Sequence, residues 1–193
     1  VAQKPFQGVS HVDAVLQSFV GSQEQLPPMY SAIKVNGKKL YEYARNHEKV
    51  EVQPRSIVIH HIELLDQHDQ FITFRVQCSK GTYIRSLCVD IGKKLGYPAH
   101  MQKLIRLASG HFRLENCFSL EDIEQGHYHM LSLEEAFQHF EHYVVEDAQI
   151  VYHGKKIKSE IDHQVVVCNQ EGQVLAVYGP DGTGYLKSIR GLF

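Results

Sequence analysis

The sequence lacks the features of a membrane or secreted protein. Its 193 residues contain no apolar run near the roughly 18–20 residues that a membrane helix needs, because His, Lys or Asp interrupts the longest hydrophobic stretches. The opening residues, VAQKPFQG, contain no apolar segment typical of a secretory leader. The four cysteines form no Cys-x-x-Cys pair, which is typical of reduced, buried thiols. We therefore expect a cytoplasmic protein with no membrane partner.

The common motifs for nucleotides and metals are also missing. Each Gly-Lys pair is followed by a second lysine, so none completes a phosphate-binding P-loop, and no Gly-x-Gly-x-x-Gly motif occurs. The 13 histidines include no His-Glu-x-x-His and no Cys/His pattern with the spacing of metal ligands. We therefore expect neither a nucleotide cofactor nor a metal site.

Charge of one sign is concentrated in two neighbouring segments, although the formal net charge is only −2. Residues 75–113 carry eight basic side chains and one acidic one, whereas residues 114–149 carry nine acidic side chains and no Lys or Arg. A basic segment of this kind is typical of a surface that meets phosphate, but a solvated helix face has a similar composition. For the acidic segment we expect surface helices that avoid RNA.

The pattern of apolar residues predicts an α+β fold. Residues 55–65 and 71–78 alternate like strands, and residues 84–95 have helical spacing. Asn36-Gly37 predicts a tight hairpin turn, and Ser10 with an aspartate three residues later predicts a capped helix start. The body of the chain therefore combines helices with strands.

The second half of the chain changes character near residue 147. Capping boxes at Ser119 and Ser132 predict two short helices before this point. Beyond it, short apolar runs alternate with Gly-containing turns, which is typical of small all-β structures. We predict a body at 1–147 and an all-β tail at 148–193, which is too short to hold a core by itself.

Two stretches carry polar and aromatic side chains that the fold does not require. The first runs from Pro27 to Arg45 and is rich in lysine and tyrosine. Cations pair with phosphates, and tyrosine rings offer faces on which bases stack. The alternative is a solvated hairpin and helix whose rings cover the edge of a core.

The second stretch is Ser79 to Arg85, SKGTYIR, where a strand ends, glycine permits a tight turn and a helix begins. Such a helix start presents free backbone N–H groups and the positive end of the helix dipole to anions. Arg85 can pair with a carboxylate or phosphate, and Tyr83 can stack or donate a hydrogen bond. The alternative is an ordinary helix start with a surface arginine.

Taken together, three segments closely resemble the TruB family of bacterial tRNA pseudouridine synthases: PPMYSAIKVNGKKLYEYAR, CSKGTYIRSLCVDIGKKLG and AHMQKLIRLASGHF. They occur in the family's order and spacing and cover about residues 5–115. The tail resembles, more weakly, the small RNA-binding PUA-type domain of these proteins. The resemblance implies part of a pseudouridine synthase catalytic domain, with a mixed, mainly antiparallel sheet and helices, followed by an all-β PUA-like domain.

The resemblance also implies a specific reaction and specific residues. The family isomerises one T-loop uridine, at conventional tRNA position 55, to pseudouridine without a cofactor, after flipping it out of the loop. By the family pattern, Tyr83 packs against the target base, Arg85 orders the catalytic aspartate and Leu104 lines the apolar pocket. Residues 29–56 match the mobile thumb that clamps the T stem-loop of tRNA. The expected RNA-binding residues are Tyr30, Lys34, Lys38, Lys39, Tyr41, Arg45, Lys80 and Arg106.

One element of the family pattern is missing. The family's nucleophilic aspartate lies in a Gly-x-Leu-Asp motif upstream of PPMYSA, and none of the aspartates of this chain has that context. The sequence also opens without methionine. We therefore expect a C-terminal fragment that is inactive alone, because the attacking carboxylate is absent. A non-catalytic tRNA-binding or tRNA-folding module is the main alternative, and a structural α+β domain with a charged face is a third.

Overall fold

The computed structural model describes residues 4–193, and the chain divides into two units after Ile105. The first unit contains α1 (Val12–Gln17), β1 (Gly21–Gln25), β2 (Lys34–Val35), β3 (Lys38–Lys39), α2 (Leu40–Arg45), β4 (Arg55–His68), β5 (Phe71–Cys78) and α3 (Ile84–Leu95). Strands β1, β4 and β5 form an antiparallel sheet in that order, and β2 and β3 form a separate hairpin.

One face of the three-stranded sheet carries the core of the first unit. Both α1 and α3 contribute apolar side chains to it, and the apolar face of β5 packs against its edge. The side chains of β5 alternate between partly buried and exposed, as strands do when only one face of a sheet is covered. The fully or nearly fully buried members are Val12, Leu16, Phe19, Ile57, Ile59, Ile62, Leu87 and Ile91.

The second unit is built around a five-stranded sheet of order β8-β10-β11-β12-β9, in which only the β8–β10 pair is parallel. Its elements are β6 (Ala108–Ser109), β7 (Phe112–Arg113), α4 (Leu120–Glu124), α5 (Leu133–Phe137), β8 (His142–Val144), α6 (Gln149–Tyr152), β9 (Ile157–Lys158), β10 (Val165–Cys168), β11 (Val174–Pro180) and β12 (Tyr185–Gly191). A single 3-10 turn covers Leu114–Asn116. Apolar clusters on both faces bury every residue of β10.

Most of the predicted elements are confirmed. The hairpin turns at Asn36-Gly37, where both residues have positive φ, and a six-residue helix follows directly. Each of the two predicted capping boxes begins a short helix, with the Ser119 and Ser132 hydroxyls accepting backbone N–H groups three residues on. The α+β class and the mainly antiparallel sheets are confirmed as well.

Two local predictions are wrong. Ser10 does not cap α1: its hydroxyl bonds to the His11 ring, and His11, in the left-handed region, is the residue that precedes the helix. The strand β1 was not predicted, because its sequence GSQEQ has no apolar alternation. This strand exists because its backbone pairs with β4 along the whole of its length, from Gly21 to Gln25.

The predicted boundary between residues 147 and 148 concerns the start of an RNA-binding domain, and it stays a prediction. The structural units divide at a different place, after Ile105. Strand β8, which precedes residue 147, adds to the edge of the tail sheet through parallel pairing with β10. A single helical turn, α6, interrupts the otherwise all-β tail.

Candidate nucleic-acid interface and active site

The end of β1 is joined to the start of α3 through one buried side chain. The Gln25 carboxamide accepts the backbone N–H of Tyr83 at 2.8 Å and donates to the Tyr83 carbonyl at 3.1 Å. Gln25 is only 5% exposed, so this double hydrogen bond is shielded from water. The pair brings together the two segments that the sequence singled out, PPMYSA and KGTYIR.

Two further hydrogen bonds continue this junction along the first turn of α3. The Ser86 hydroxyl donates to the Leu26 carbonyl at 3.0 Å, and the Arg85 guanidinium donates to the Tyr30 carbonyl at 2.8 Å. We call residues 25–30 the anchor segment. It lies along the helix start and leads directly into the hairpin.

The turn before α3 has its own fixed geometry. After β5, Ser79 exchanges hydrogen bonds with the backbone of Val58, and the Thr82 hydroxyl donates to the Ser79 carbonyl at 2.9 Å. Gly81 adopts a φ of 86°, which glycine reaches without strain. The turn leaves Lys80 exposed and delivers Tyr83 to the Gln25 amide.

The hairpin and helix of residues 34–45, which we call the hairpin–helix segment, present cations around a tyrosine ring. Lys39 Nζ and the Arg45 guanidinium carbon each lie 5.4 Å from the centre of the Tyr41 ring. Cations at this distance interact favourably with the ring face. The arrangement combines positive charge with a stacking surface, as single-stranded nucleic acid requires.

The other lysines of this segment differ in their surroundings. Lys38 Nζ lies 2.7 Å from both carboxylate oxygens of Glu48, and this contact lowers the pKa of the Glu48 carboxyl. Lys38 also lies over the Tyr43 ring at 4.7 Å. Lys34 is exposed, and among residues 4–193 no carboxylate lies within ion-pair distance of it. Lys34 is therefore better placed than Lys38 to bind a phosphate.

Three of the sequence-predicted residues lie outside these contacts. Leu104 belongs to the irregular segment after α3 and is 52% exposed, so no apolar pocket encloses it in this structure. Lys80 is exposed in the turn before α3. Arg106 is exposed in the second unit. The structure brings together Tyr30 with Arg85, and Lys39 with Tyr41 and Arg45.

About half of the basic side chains of residues 75–113 are occupied by internal contacts, so the segment is not one uniform phosphate-binding surface. Arg75 pairs with Glu63, and Lys93 pairs with Asp90. Lys94 donates to the Ser18 hydroxyl and lies over the Phe19 ring. Arg85 donates to the Tyr30 carbonyl, as described above. All eight cations are exposed, but those at positions 80, 103, 106 and 113 have no such side-chain contact within residues 4–193.

Arg85 forms no ion pair with any residue of the described range 4–193. Several aspartates of the chain are bound elsewhere. Asp122 caps α4, where the Ser119 hydroxyl and backbone lower the pKa of its carboxyl. Asp181 pairs with Lys156 in a turn of the tail. The guanidinium thus has unused donors for a carboxylate that these contacts do not supply.

The outer face of the tail sheet carries a second basic surface. Leu186 and Ile157 are cross-strand partners that pack into the core, so their neighbours Tyr185 and Lys158, also partners, lie on the opposite face. Lys187 and Arg190 of β12 share that face. Their cross-strand partners on β11 are Gly179 and Val177, which are two residues apart and therefore lie on the same face of the sheet. All four residues are exposed, and we call them the tail strip: Lys158, Tyr185, Lys187 and Arg190.

Sequence reasoning missed two features of this site. Gln25 was not singled out, although a glutamine next to a Leu-Pro-Pro run, at the end of a polar stretch, is a weak signal. The tail strip depends on a β-bulge in β12 between Ser188 and Arg190, which no sequence pattern indicated. Within residues 4–193 the structure has no helix long and apolar enough to cross a membrane and no group of three or more potential metal ligands.

Two family models together match residues 3–164 of the 193-residue chain. Residues 3–84 match the TruB family pseudouridylate synthase (N terminal domain). Residues 85–164 match the tRNA pseudouridylate synthase B C-terminal domain. The junction between the two matches falls at the start of α3, where Gln25 binds Tyr83.

Curated relatives with the name tRNA pseudouridine synthase B are similar over most of the chain. The protein of Geobacillus thermodenitrificans is 42% identical over 202 residues, covering 94% of this chain and 67% of that protein. The protein of Bacillus cytotoxicus is 43% identical over 198 residues, covering 93% of this chain and 64% of that protein. The chain thus spans about two thirds of the length of these relatives.

Solved structures share the fold at lower identity. A chain of a Cbf5-Nop10-Gar1 complex aligns with a TM-score of 0.67 and 23% identity, over 99% of this chain and 61% of that one. A chain of an H/ACA RNP bound to a substrate RNA containing 2'-deoxyuridine aligns with a TM-score of 0.65 and 21% identity, over 97% and 63%. These likenesses concern the fold.

Proposed function

Because the chain belongs to the TruB family of pseudouridylate synthases, we propose that the complete protein isomerises a uridine in the T loop of tRNA, at conventional position 55, to pseudouridine. The observation that carries this proposal is the junction between the anchor segment and α3. Four hydrogen bonds connect the anchor segment, which leads into the hairpin–helix segment, to Tyr83, Arg85 and Ser86 at the start of α3.

Each of the three catalytic positions has a proposed role. Tyr83 packs against the flipped base, and Leu104 covers the base when RNA fills the open surface around it. Arg85 orders the nucleophilic aspartate, since its guanidinium has five N–H donors and the Tyr30 carbonyl uses one nitrogen. The eight aspartates of this chain lack the family's motif, so this chain alone is not expected to form product. The reaction needs neither a cofactor nor a metal.

The RNA partner is the T stem-loop of tRNA, and residues 29–56 form the thumb that clamps it. The exposed cations of the thumb bind phosphates, and Tyr30, which is 62% exposed, and Tyr41 offer ring faces to unstacked bases. Lys80 and Arg106 supply further positive charge outside the thumb. Such an enzyme acts on tRNA in the cytoplasm.

The tail, residues 148–193, is a PUA-like RNA-binding domain, and the tail strip is its contact surface. The described residues place no carboxylate within ion-pair distance of the three cations of the strip. Free cations beside an exposed ring suit a phosphate backbone with an accessible base.

The direct test measures binding and product in the same samples. An unmodified tRNA transcript is incubated with this chain and, separately, with the chain extended by the upstream aspartate-bearing segment of the relatives, at low and high salt. We expect salt-sensitive binding by both and pseudouridine only from the extended protein. Product from this chain alone would refute the assignment of the nucleophile, and absence of product from both would refute the proposed activity.

Arg85→Ala in the extended protein distinguishes a role in ordering the nucleophilic aspartate from a role in binding tRNA. Loss of an ordering contact to the nucleophile is expected to reduce kcat by about 100-fold or more, with tRNA affinity changed by less than about threefold. Lys93→Ala, on the same helix but paired with Asp90, is the matched control and should leave both quantities unchanged. A defect confined to affinity would contradict the role of Arg85.

A further inference from the structure

The Gln25 amide contacts Tyr83 in the manner of a neighbouring strand. Its carboxamide oxygen accepts the Tyr83 N–H, and its nitrogen donates to the Tyr83 carbonyl. These two bonds also fix the orientation of the amide, because the N–H needs an acceptor and the carbonyl needs a donor. The contact is more specific than packing alone, since it requires an acceptor and a donor on the same side chain.

Tyr83 needs such a partner because of its place in the chain. It directly precedes α3 with extended backbone (φ −95°, ψ 104°), and no side chain caps this helix. Its carbonyl already accepts the N–H of Leu87, the first bond of the helix. The N–H of Tyr83 has no acceptor within the helix, so without the Gln25 carboxamide it would be unpaired.

Gln25 is itself held in place. It is the last residue of β1 and pairs with Arg55 in β4. The strand β4 in turn exchanges hydrogen bonds with Ser79 at the start of the turn that leads to Tyr83. The backbone of Tyr83 is therefore fixed from two directions, by the turn on one side and by Gln25 on the other.

We propose that Gln25 is a positioning residue for the isomerisation: its buried amide sets the backbone of Tyr83 and thereby the direction of the ring that packs against the target base. This inference rests on the proposed function, because it assigns Tyr83 to the base. Gln25 does not touch substrate. Its contribution is to hold Tyr83 in the geometry that the chemical step requires, where a displacement of about 1 Å costs on the order of 100-fold in rate.

The test uses the extended, active protein with two substitutions at one site. Gln25→Met keeps the approximate volume and removes both hydrogen bonds, whereas Gln25→Glu keeps an acceptor for the Tyr83 N–H and loses the donor to its carbonyl. We expect kcat to fall by about 10- to 100-fold in both variants, because Gln25→Met removes both bonds and Gln25→Glu turns a carboxylate oxygen toward the Tyr83 carbonyl at a buried site, with KM within about twofold of wild type. The matched control is Gln23→Met, on the same strand, which removes a bond to the Phe19 carbonyl.

A second measurement is independent of activity. Amide hydrogen exchange at Tyr83 should accelerate in Gln25→Met and stay unchanged in Gln23→Met, because only Gln25 accepts that N–H. Faster exchange at Tyr83 with wild-type kcat would overturn the inference, as would a rise in KM at unchanged kcat. If Gln25→Met does not fold, wild-type kcat in Gln25→Glu, which loses the donor to the Tyr83 carbonyl, would overturn it equally. An inactive wild-type protein would instead refute the proposed function.

Discussion

The hairpin–helix segment and the tail strip both present cations beside tyrosine rings. They differ in how much buried apolar structure holds each of them in place. In the hairpin–helix segment the only fully buried side chain is Leu40, and the strands are two residues long. The tail strip lies on a five-stranded sheet whose two faces both carry buried apolar clusters. A surface on short elements with little buried area opens at low free-energy cost, whereas a sheet face keeps its geometry until the unit unfolds.

The two surfaces also differ in how charge is arranged. In the hairpin–helix segment Lys38 is bound by Glu48, and two other cations lie against Tyr41. The cations of the tail strip have no such partners in the described part of the chain. We infer that the first surface adapts to unstacked bases and that the second holds a phosphate backbone in a fixed register.

The largest expected effect tests the difference in support. Leu40→Ala and Leu186→Ala remove the same side chain from two fully buried sites, at a cost of about 2–5 kcal/mol each. We expect faster amide exchange in Leu40→Ala to be confined to residues near 34–46, and in Leu186→Ala to extend across the tail sheet. Hydrogen exchange measured by mass spectrometry checks this, and equally wide effects of the two substitutions would remove the contrast.

A smaller effect concerns stacking on the hairpin–helix segment. Tyr41→Leu keeps an apolar side chain and removes the ring that lies near two cations, so RNA affinity should fall by about 1–3 kcal/mol without a change in the salt dependence. Tyr128→Leu, at an exposed position in the acidic segment, should leave affinity unchanged. Titration of a labelled tRNA at several salt concentrations measures both quantities, and a flatter salt dependence in Tyr41→Leu would contradict a stacking role.

Single lysine substitutions refine the comparison further. Lys34→Ala and Lys187→Ala should each reduce the slope of log affinity against log salt by about one, because each removes an unpaired phosphate contact. Lys38→Ala should reduce it less, because Glu48 already neutralises that cation. The same titrations measure these slopes. Equal slopes for Lys34→Ala and Lys38→Ala would show that the Lys38–Glu48 pair opens on binding.

The smallest expected effect concerns pH and the turn that supports the tail strip. The Asp181 carboxylate accepts hydrogen bonds from Lys156 and from the hydroxyl and backbone N–H of Thr183. These contacts, Lys156 first, hold the pKa of Asp181 far below its usual range. A lowered folded-state pKa stabilises the fold above the ordinary carboxyl pKa of about 4, and this contribution is lost as pH falls below that range.

We therefore expect Asp181→Asn to lower the Tm at pH 7, with the difference from wild type shrinking as pH falls from about 4 towards 3. Thermal unfolding followed by circular dichroism across this range measures the effect. Asp69→Asn, at an exposed turn position whose side chain forms no ion pair within residues 4–193, is the control. A Tm difference that is independent of pH would assign the role of Asp181 to turn geometry rather than to its charge.

Local features of the fold were predictable where the signal lies within a few residues. The Asn36-Gly37 turn follows from the preference for positive φ, and the helices after Ser119 and Ser132 follow from hydroxyls that accept backbone N–H groups. Strand β5 follows from its alternation, since one of its faces packs against a core. Ser10 shows the limit of such rules. It does not cap α1, because His11, in the left-handed conformation, is the residue that directly precedes the helix.

The candidate site was predictable only in part. The residues around Tyr83 and Arg85 were found from their composition and from the family resemblance. Their connection to the anchor segment was not found, because Gln25 and Tyr83 are 58 residues apart and only pairing between β1 and β4 brings them together. The exposed position of Leu104 also could not be predicted from its sequence motif.

The sequence by itself determined the family, the α+β class and the residue types that we expect to contact RNA, because these depend on motifs and on short-range periodicity. The tertiary structure alone decided which cations are free, which ring lies near two cations, and that a buried glutamine binds the backbone of Tyr83. These features depend on contacts between residues far apart in the chain. Such contacts form only when burial of the core fixes strand register and helix position together.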